Sequence, residues 1–272
     1  MQEGWKYYNH ALVPTTAPHE KIKEIQSGFW NGWEGFPLFA RWTTDFDCGY
    51  ETNWWYVIKE APFSIEELSA KRKKNIRQSL KKCVVKKIDP VENVKELFEV
   101  YSAAYTRYSK ADNRKTFEQF KCQCERESKE EYDYWGGYSI ETGNLIGFMT
   151  IRIGEDYVES CVAKYHPDFL KCRVSDAIHY TVLNEYLNNC GKKYLSSGMR
   201  NINHITNVQD YKIDNFNFKK AYCHLCIMYR KPLDIIIRLL YPFKGLINKV
   251  NGGHFVHQMS SVLRMEEIRR GN

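Results

Sequence analysis

Three stretches in the middle of the chain, "YDYWGGYSI", "NLIGFMTIRIG" and "DYVESCVAKY", alternate in polarity and are rich in aromatic and β-branched residues. Only "ETGN" separates the first two, so they are expected to fold back on each other as antiparallel neighbours, with the third continuing the meander. A meander needs cover for its apolar surface, and the flanking segments supply it. Before it, "CVVKKI" reads as a strand, and "PVENVKELFEVYSAAYTRY" carries Val94, Leu97, Phe98, Tyr101 and Tyr105 at helical spacing. A second helix is expected in "KTFEQFKCQCERE". After the meander, "SDAIHYTVLNEYLNNCG" reads as a helix capped by Ser175, with Ala177, Ile178, Val182, Leu183 and Tyr186 on its face and Gly191 as its stop. Then come a strand in "KYLSSGM", a short helix in "ITNVQDYKIDNF" and a long last strand in "FKKAYCHLCIMYR". This order predicts a mixed α/β (α+β) domain.

The chain has 272 residues, 43% of them hydrophobic, enough for one large domain or two small ones. Three regions are expected. Residues 1–60 hold six of the seven tryptophans, with strands at Leu38–Thr43 and Trp54–Lys59, and form an aromatic-rich region packed on the main domain. Residues 61–231 form that domain, and residues 232–272 a helical tail. In the tail, "PLDIIIRLLYPFKGLINKV" is too interrupted by Asp234, Arg238 and Pro242 to cross a bilayer. It is either a packed helix or, over 232–250, a peripheral contact with an anionic membrane.

The net charge is +7, and "SIEELSAKRKKNIRQSLKKC" concentrates seven Lys or Arg in one amphipathic helix beginning at the cap Ser64. Arg72 interrupts its apolar stripe beside Asn75, so its guanidinium needs either a carboxylate of this chain or an anionic ligand. Nine cysteines and no apolar opening run in "MQEGWKYYNH" read as reduced thiols in a cytoplasmic protein. "CHLC" lies in an alternating strand, which turns Cys223 and Cys226 to opposite faces, and no metal is expected.

With the element order, two local segments and the basic helix carry a resemblance to a known family. "KYHPDFLKCRVSDAI" (Lys164–Ile178) joins a meander strand to the central helix, and "NFNFKKAYCHLCIMY" (Asn215–Tyr229) enters the last strand. From Ser69 to Tyr229 the chain resembles the GNAT acyl-CoA N-acyltransferase superfamily, in particular its FemAB-like branch, whose Arg-Asn-Ile helix Arg72, Asn75 and Ile76 match. The resemblance implies a GNAT-like fold with a mostly antiparallel central sheet flanked by helices. It also implies transfer of an acyl group, acetyl or aminoacyl, from an acyl-CoA or aminoacyl-tRNA donor to an amine, such as that of a cell-envelope precursor. The alternative is a non-catalytic module of that fold that binds RNA or another anionic surface through the basic helix.

Residue by residue, the resemblance assigns donor phosphates to Lys171, Cys172, Arg173, Val174 and Ser175, with Lys171, Arg173 and Ser175 where the family has glycines. Asn217 stands where the family has Gly before Phe, and Asn tolerates the left-handed conformation next best. The family's general-acid tyrosine falls on Ile213, with Tyr211 nearby but out of register. For the base the candidates are Glu159, His204 and Asp210, and backbone amides within Cys161–Lys164 are candidates for stabilising an oxyanion. His179 reads as a half-buried structural histidine. Substrate contacts are expected from Arg72, Ser196, Ser197 and Arg200, the last three in "LSSGMRNINH".

Overall fold

The structure is a computed structural model that describes residues 2–107, 114–202, 207–247 and 254–271. The strands are β1 (Trp5–Tyr8), β2 (Ala11–Pro14), β3 (Phe39–Thr44), β4 (Trp54–Glu60), β5 (Cys83–Ile88), β6 (Tyr132–Ser139), β7 (Leu145–Ile153), β8 (Tyr157–Tyr165), β9 (Tyr194–Met199) and β10 (Lys219–Tyr229). The helices are α1 (Ala70–Leu80), α2 (Val94–Tyr105), α3 (Phe117–Glu127), α4 (Val174–Leu183), α5 (Val208–Phe216), α6 (Lys231–Leu240), α7 (Lys244–Ile247) and α8 (His254–Arg270). As far as they are described, Met1–Tyr56, Met199–Asn207 and Lys220–Asn272 form one compact unit, and Val57–Gly198 with Val208–Lys219 another.

In the first unit β1 and β2 are antiparallel, β2 pairs parallel with β3, and β3 is antiparallel to β10. The aromatic N-terminal residues make a core of their own. Trp5, Leu12, Phe29 and Ala40 are buried together, with Trp30, Trp33 and Trp42 packed around them. Trp5 meets the Phe29 ring edge-on at 5.0 Å, the geometry that aromatic quadrupoles favour. Helix α6 buries Leu233 and Ile237 and leaves Ile235, Ile236 and Leu239 exposed. Among the described residues, no helix is long and apolar enough to cross a membrane. On β10, Cys223 is buried and Cys226 half-buried, on opposite faces of the strand.

The second unit contains the meander. Strands β5, β6, β7 and β8 are successive antiparallel neighbours, and β9 pairs parallel with β8. Gly143, with φ +73°, closes the β6–β7 turn in "ETGN". Helices α2 and α3 cover one face through Leu97, Val100, Tyr101, Phe120 and Cys124 against Tyr134, Leu145 and Phe148. Helix α4 covers the other, and two glycines let it approach. Gly137 and Gly147 are cross-strand partners on β6 and β7, and Val174 sits over both. After Leu183, hydrogen bonds of the wider i→i+5 type carry α4 through Asn184–Asn189.

Two local expectations change. The basic helix is not continuous: Ser64 caps a single 3₁₀ turn, Ile65–Glu67, Leu68 is extended, and Ser69 caps α1 by accepting from the Arg72 amide at 3.3 Å. Two serines in cap positions split what periodicity alone merges. Ser175 is not the cap of α4. That position belongs to Arg173, which stands in the left-handed region at φ +56° with no side-chain cap bond, and Ser175 lies in the first turn.

A methyl group at Gly137 would stand 2.4 Å from Val174 Cγ2 and 3.1 Å from Ile178 Cδ1. Gly137→Ala is therefore expected to destabilise the protein by about 1–3 kcal/mol, read as a lower urea midpoint with an unchanged slope.

Candidate functional site

Arg72 does not face an open anion site. From α1 its guanidinium makes a salt bridge to Asp176 in the first turn of α4 and donates to the side-chain oxygen of Asn215 on α5. Asp176, 2% exposed, also accepts from the Tyr211 hydroxyl at 2.8 Å. The Arg72 guanidinium lies 5.4 Å from the Tyr211 ring centre and 5.5 Å from that of Phe216. Of the two readings the sequence left open, a carboxylate of the same chain satisfies the arginine.

Next to this pair, His179 is buried and stacked on Phe216 at 5.0 Å, with its Nδ1 proton donated to the Ser175 carbonyl at 2.7 Å. Burial, joined by the nearby Lys212 charge, pushes its pKa down to about 3, so the ring is neutral. Burial and the adjacent Asp176 push the Tyr211 phenol up to about 12.

Lys212 is a site residue that the sequence reading missed. It is 2% exposed on α5, and its amine hydrogen-bonds the Ser160 hydroxyl on β8 at 3.1 Å. Desolvation pulls its pKa down to about 8. The sequence held half of the signal: Lys212 precedes Phe216 by one helical turn and so shares its face, and the burial of Phe216 turns that face inward.

Ser160 lies where the sheet opens. Strands β8 and β9 pair from Tyr157 with Tyr194 to Glu159 with Ser196, and the register ends there although β8 runs on to Tyr165 and β9 to Met199. On its other side β8 stays paired with β7, with an irregularity that leaves Cys161 without a cross-strand partner. The His166 amide bonds back to Ile146, so strand alternation turns the Ala163 and Tyr165 amides toward the open edge. At the end of β8 a 3₁₀ stretch, Pro167–Cys172, leads through Arg173 into α4. Lys171 and Arg173 are exposed there, beside the first-turn amides that a helix leaves without internal acceptors. Asn217, at φ +52°, takes the left-handed conformation before Phe218 and donates to the Glu67 carbonyl at 2.8 Å.

The other expected site residues are distributed as follows. Glu159 makes a salt bridge with its cross-strand partner Arg152 at 2.5 Å, and Arg152 also donates to Tyr157. Ser196 is buried and accepts from the Gly198 amide at 3.0 Å, Ser197 is half-buried, and Asp210 is exposed on α5. Cys172 is half-buried and Val174 buried. Arg200 belongs to the first unit, where its guanidinium lies 4.6 Å from the Trp55 ring centre. His204 lies outside the described residues.

No protein-family model and no curated protein matches the chain. In three dimensions it is similar to FemX, over 69% of this chain and 65% of that one, at 9% identity and a TM-score of 0.51. L-PGS from Bacillus licheniformis aligns over 86% of this chain and 68% of its own, at 14% identity and a TM-score of 0.49. The C-terminal domain of a putative lysylphosphatidylglycerol synthetase from Agrobacterium fabrum aligns over 74% and 65%, at 10% identity and a TM-score of 0.49. The chain spans 65% of the length of FemX, and the likeness is one of fold.

Asp176→Asn would leave the Arg72 guanidinium buried without its carboxylate, at an expected cost of about 3–5 kcal/mol in urea denaturation. Replacing both partners, Arg72→Met with Asp176→Leu, is expected to cost less than that single change, because no unpaired charge remains.

Proposed function

We propose that the second unit is an N-acyltransferase in which Lys212 is the acid–base group and the start of α4 holds the donor. The observation that carries this reading is the buried Lys212 amine at the opening between β8 and β9, hydrogen-bonded to a neutral hydroxyl. A lysine with a pKa near 8 has a neutral fraction around neutral pH and can accept a proton from an attacking amine, directly or through Ser160. In the transfer, the acceptor nitrogen bonds to the acyl carbon, its proton passes to Lys212, and the bond from that carbon to the donor's sulfur or oxygen breaks. The leaving group then takes a proton back. Strand amides on the open edge of β8, Ala163 among them, would donate to the oxyanion of the tetrahedral intermediate.

For the donor, the coenzyme A thioester is the first choice. Lys171, Arg173 and the amides at the helix start offer cations and donors to a diphosphate, with the helix dipole adding to both. The left-handed backbone at Arg173 keeps the turn that glycine gives elsewhere. A second donor, aminoacyl-tRNA, is favoured by the outer face of α1, where Lys71, Lys74, Arg77 and the following Lys81 and Lys82 are all exposed.

Titration with acetyl-coenzyme A at low salt separates the two. At ~100 times the dissociation constant it is expected to stabilise the protein by about 2.7 kcal/mol in a thermal-shift assay, with Arg173→Ala weakening the effect. No shift beyond that of a free nucleotide, together with steeply salt-dependent RNA binding, would move the assignment to tRNA or to a non-catalytic RNA-binding role.

Lys212→Met and Lys212→Arg are both expected to lower kcat by 10²–10⁴-fold in order of magnitude, since neither side chain can accept the proton. Retained activity in Lys212→Arg would assign the residue a purely electrostatic part. The same group sets a stability trend. Its folded pKa, about 8, lies below its ordinary 10.5, so the folded state binds fewer protons in that interval. The penalty of the buried charge is full below pH 8 and is relieved as the pH rises toward 10.5. Lys212→Met should therefore raise Tm most at neutral pH and progressively less in alkali.

A further inference from the structure

The first unit holds a half-buried arginine, Arg41, that lacks the carboxylate found beside several others. Arg72 meets Asp176, Arg152 meets Glu159, and Arg269 and Arg270 share Glu266. Arg41, on β3, forms no ion pair among the described residues. Its Nε, like that of Arg72, is buried without a protein acceptor, but here no carboxylate compensates, and one Nη meets only the sulfur of Met265 on α8 at 3.8 Å, a weak acceptor. A guanidinium stays charged at any physiological pH, so withdrawing part of it from water without a carboxylate is unfavourable unless another acceptor reaches it.

The side chain lines a cavity of about 240 Å³. Phe39, Val262 and Met265 contribute apolar walls, while Tyr8, His10 and Gln258 contribute polar groups. The cavity's rim is fixed in advance. Asn9 and His10 both take left-handed backbone angles, at φ +47° and +62°, in the turn between β1 and β2. The Tyr7 hydroxyl is 3.1 Å from His10 Nδ1, and the His10 carbonyl accepts the Leu38 amide at 2.8 Å.

We infer that this cavity is a binding site for a small oxyanion, a carboxylate or phosphate group on a compact and partly apolar molecule, with Arg41 as its counter-charge. The planar fork of a guanidinium matches the two oxygens that either group presents. The apolar walls suit the body that carries the anion, and a volume of this size selects a metabolite-sized ligand or a single headgroup rather than a polymer.

The test uses the full chain and three probes: sodium phosphate, sodium acetate, and phosphatidylcholine vesicles with or without phosphatidic acid, all at matched ionic strength in a chloride buffer. Wild-type protein is expected to gain a few degrees of Tm, on the order of 2–4 °C, with at least one free anion, or to bind only the phosphatidic-acid vesicles. The first result assigns a soluble ligand and the second a lipid headgroup. Arg41→Met should weaken the response about tenfold or more, and in chloride alone it should melt no lower than wild type, because a partly desolvated charge without a carboxylate has been removed. Arg41→Lys keeps the charge without the fork and should give an intermediate response, which serves should the methionine variant fail to fold. The inference is overturned if no probe produces a response, if the response is the same in wild type and both variants, or if Arg41→Met melts well below wild type in chloride while binding each probe as wild type does.

Discussion

The contact on which the second unit most depends is the ion pair of Arg72 with Asp176. Three helices supply it: α1 the guanidinium, α4 the carboxylate, and α5 the phenol of Tyr211 and the amide of Asn215 that complete the hydrogen bonding. Charges this deeply buried are stable only in each other's company, so none of the three helices can shift without exposing the cost. The carboxylate also lies in the first turn of α4, where the helix dipole favours an anion. One interaction therefore fixes the helix start at which a donor would bind and the helix that carries Lys212.

The same neighbourhood explains why Lys212 differs from its surroundings. Asp176 is already shared by Arg72 and Tyr211, and Glu159 is bound by Arg152, so two carboxylates near the site are committed elsewhere. Lys212 is left with a hydroxyl. Solvation is withheld from it as well, and the loss of charge becomes inexpensive. His179 obeys the same rule from the other direction: surrounded by aromatic rings and two cations, it stays neutral. Arg41 in the first unit follows the pattern of a cation without an internal anion, but a guanidinium cannot yield its proton and so calls for an external partner.

Much of this was legible from residue order. Alternation in the meander, the apolar stripe of α4 and the turn in "ETGN" are local signals, and the structure forms each in the expected segment. Asn217 was legible because its conformational tolerance is an intrinsic property. Arg72 was legible as a problem but not as a solution, since its partner lies 104 residues away. Lys212 was missed because a lysine in a short polar helix ordinarily faces water, and only the packing of Phe216 reveals which side is inside. The split of the basic helix was missed for a related reason: a residue one place outside a stripe weighs little in periodicity, yet two serines can each stop a helix by capping the next.

The seating of Val174 over Gly137 and Gly147 has a mechanical consequence. A branched side chain resting on two adjacent glycines works as a detent: sliding α4 along the sheet in either direction would drive it into neighbouring side chains. Widening of the proposed donor entrance by translation of this helix is thereby closed off. Any breathing that admits the proposed donor would then have to occur upstream, in the 3₁₀ stretch Pro167–Cys172. The helix behind that short segment then acts as a stationary wall.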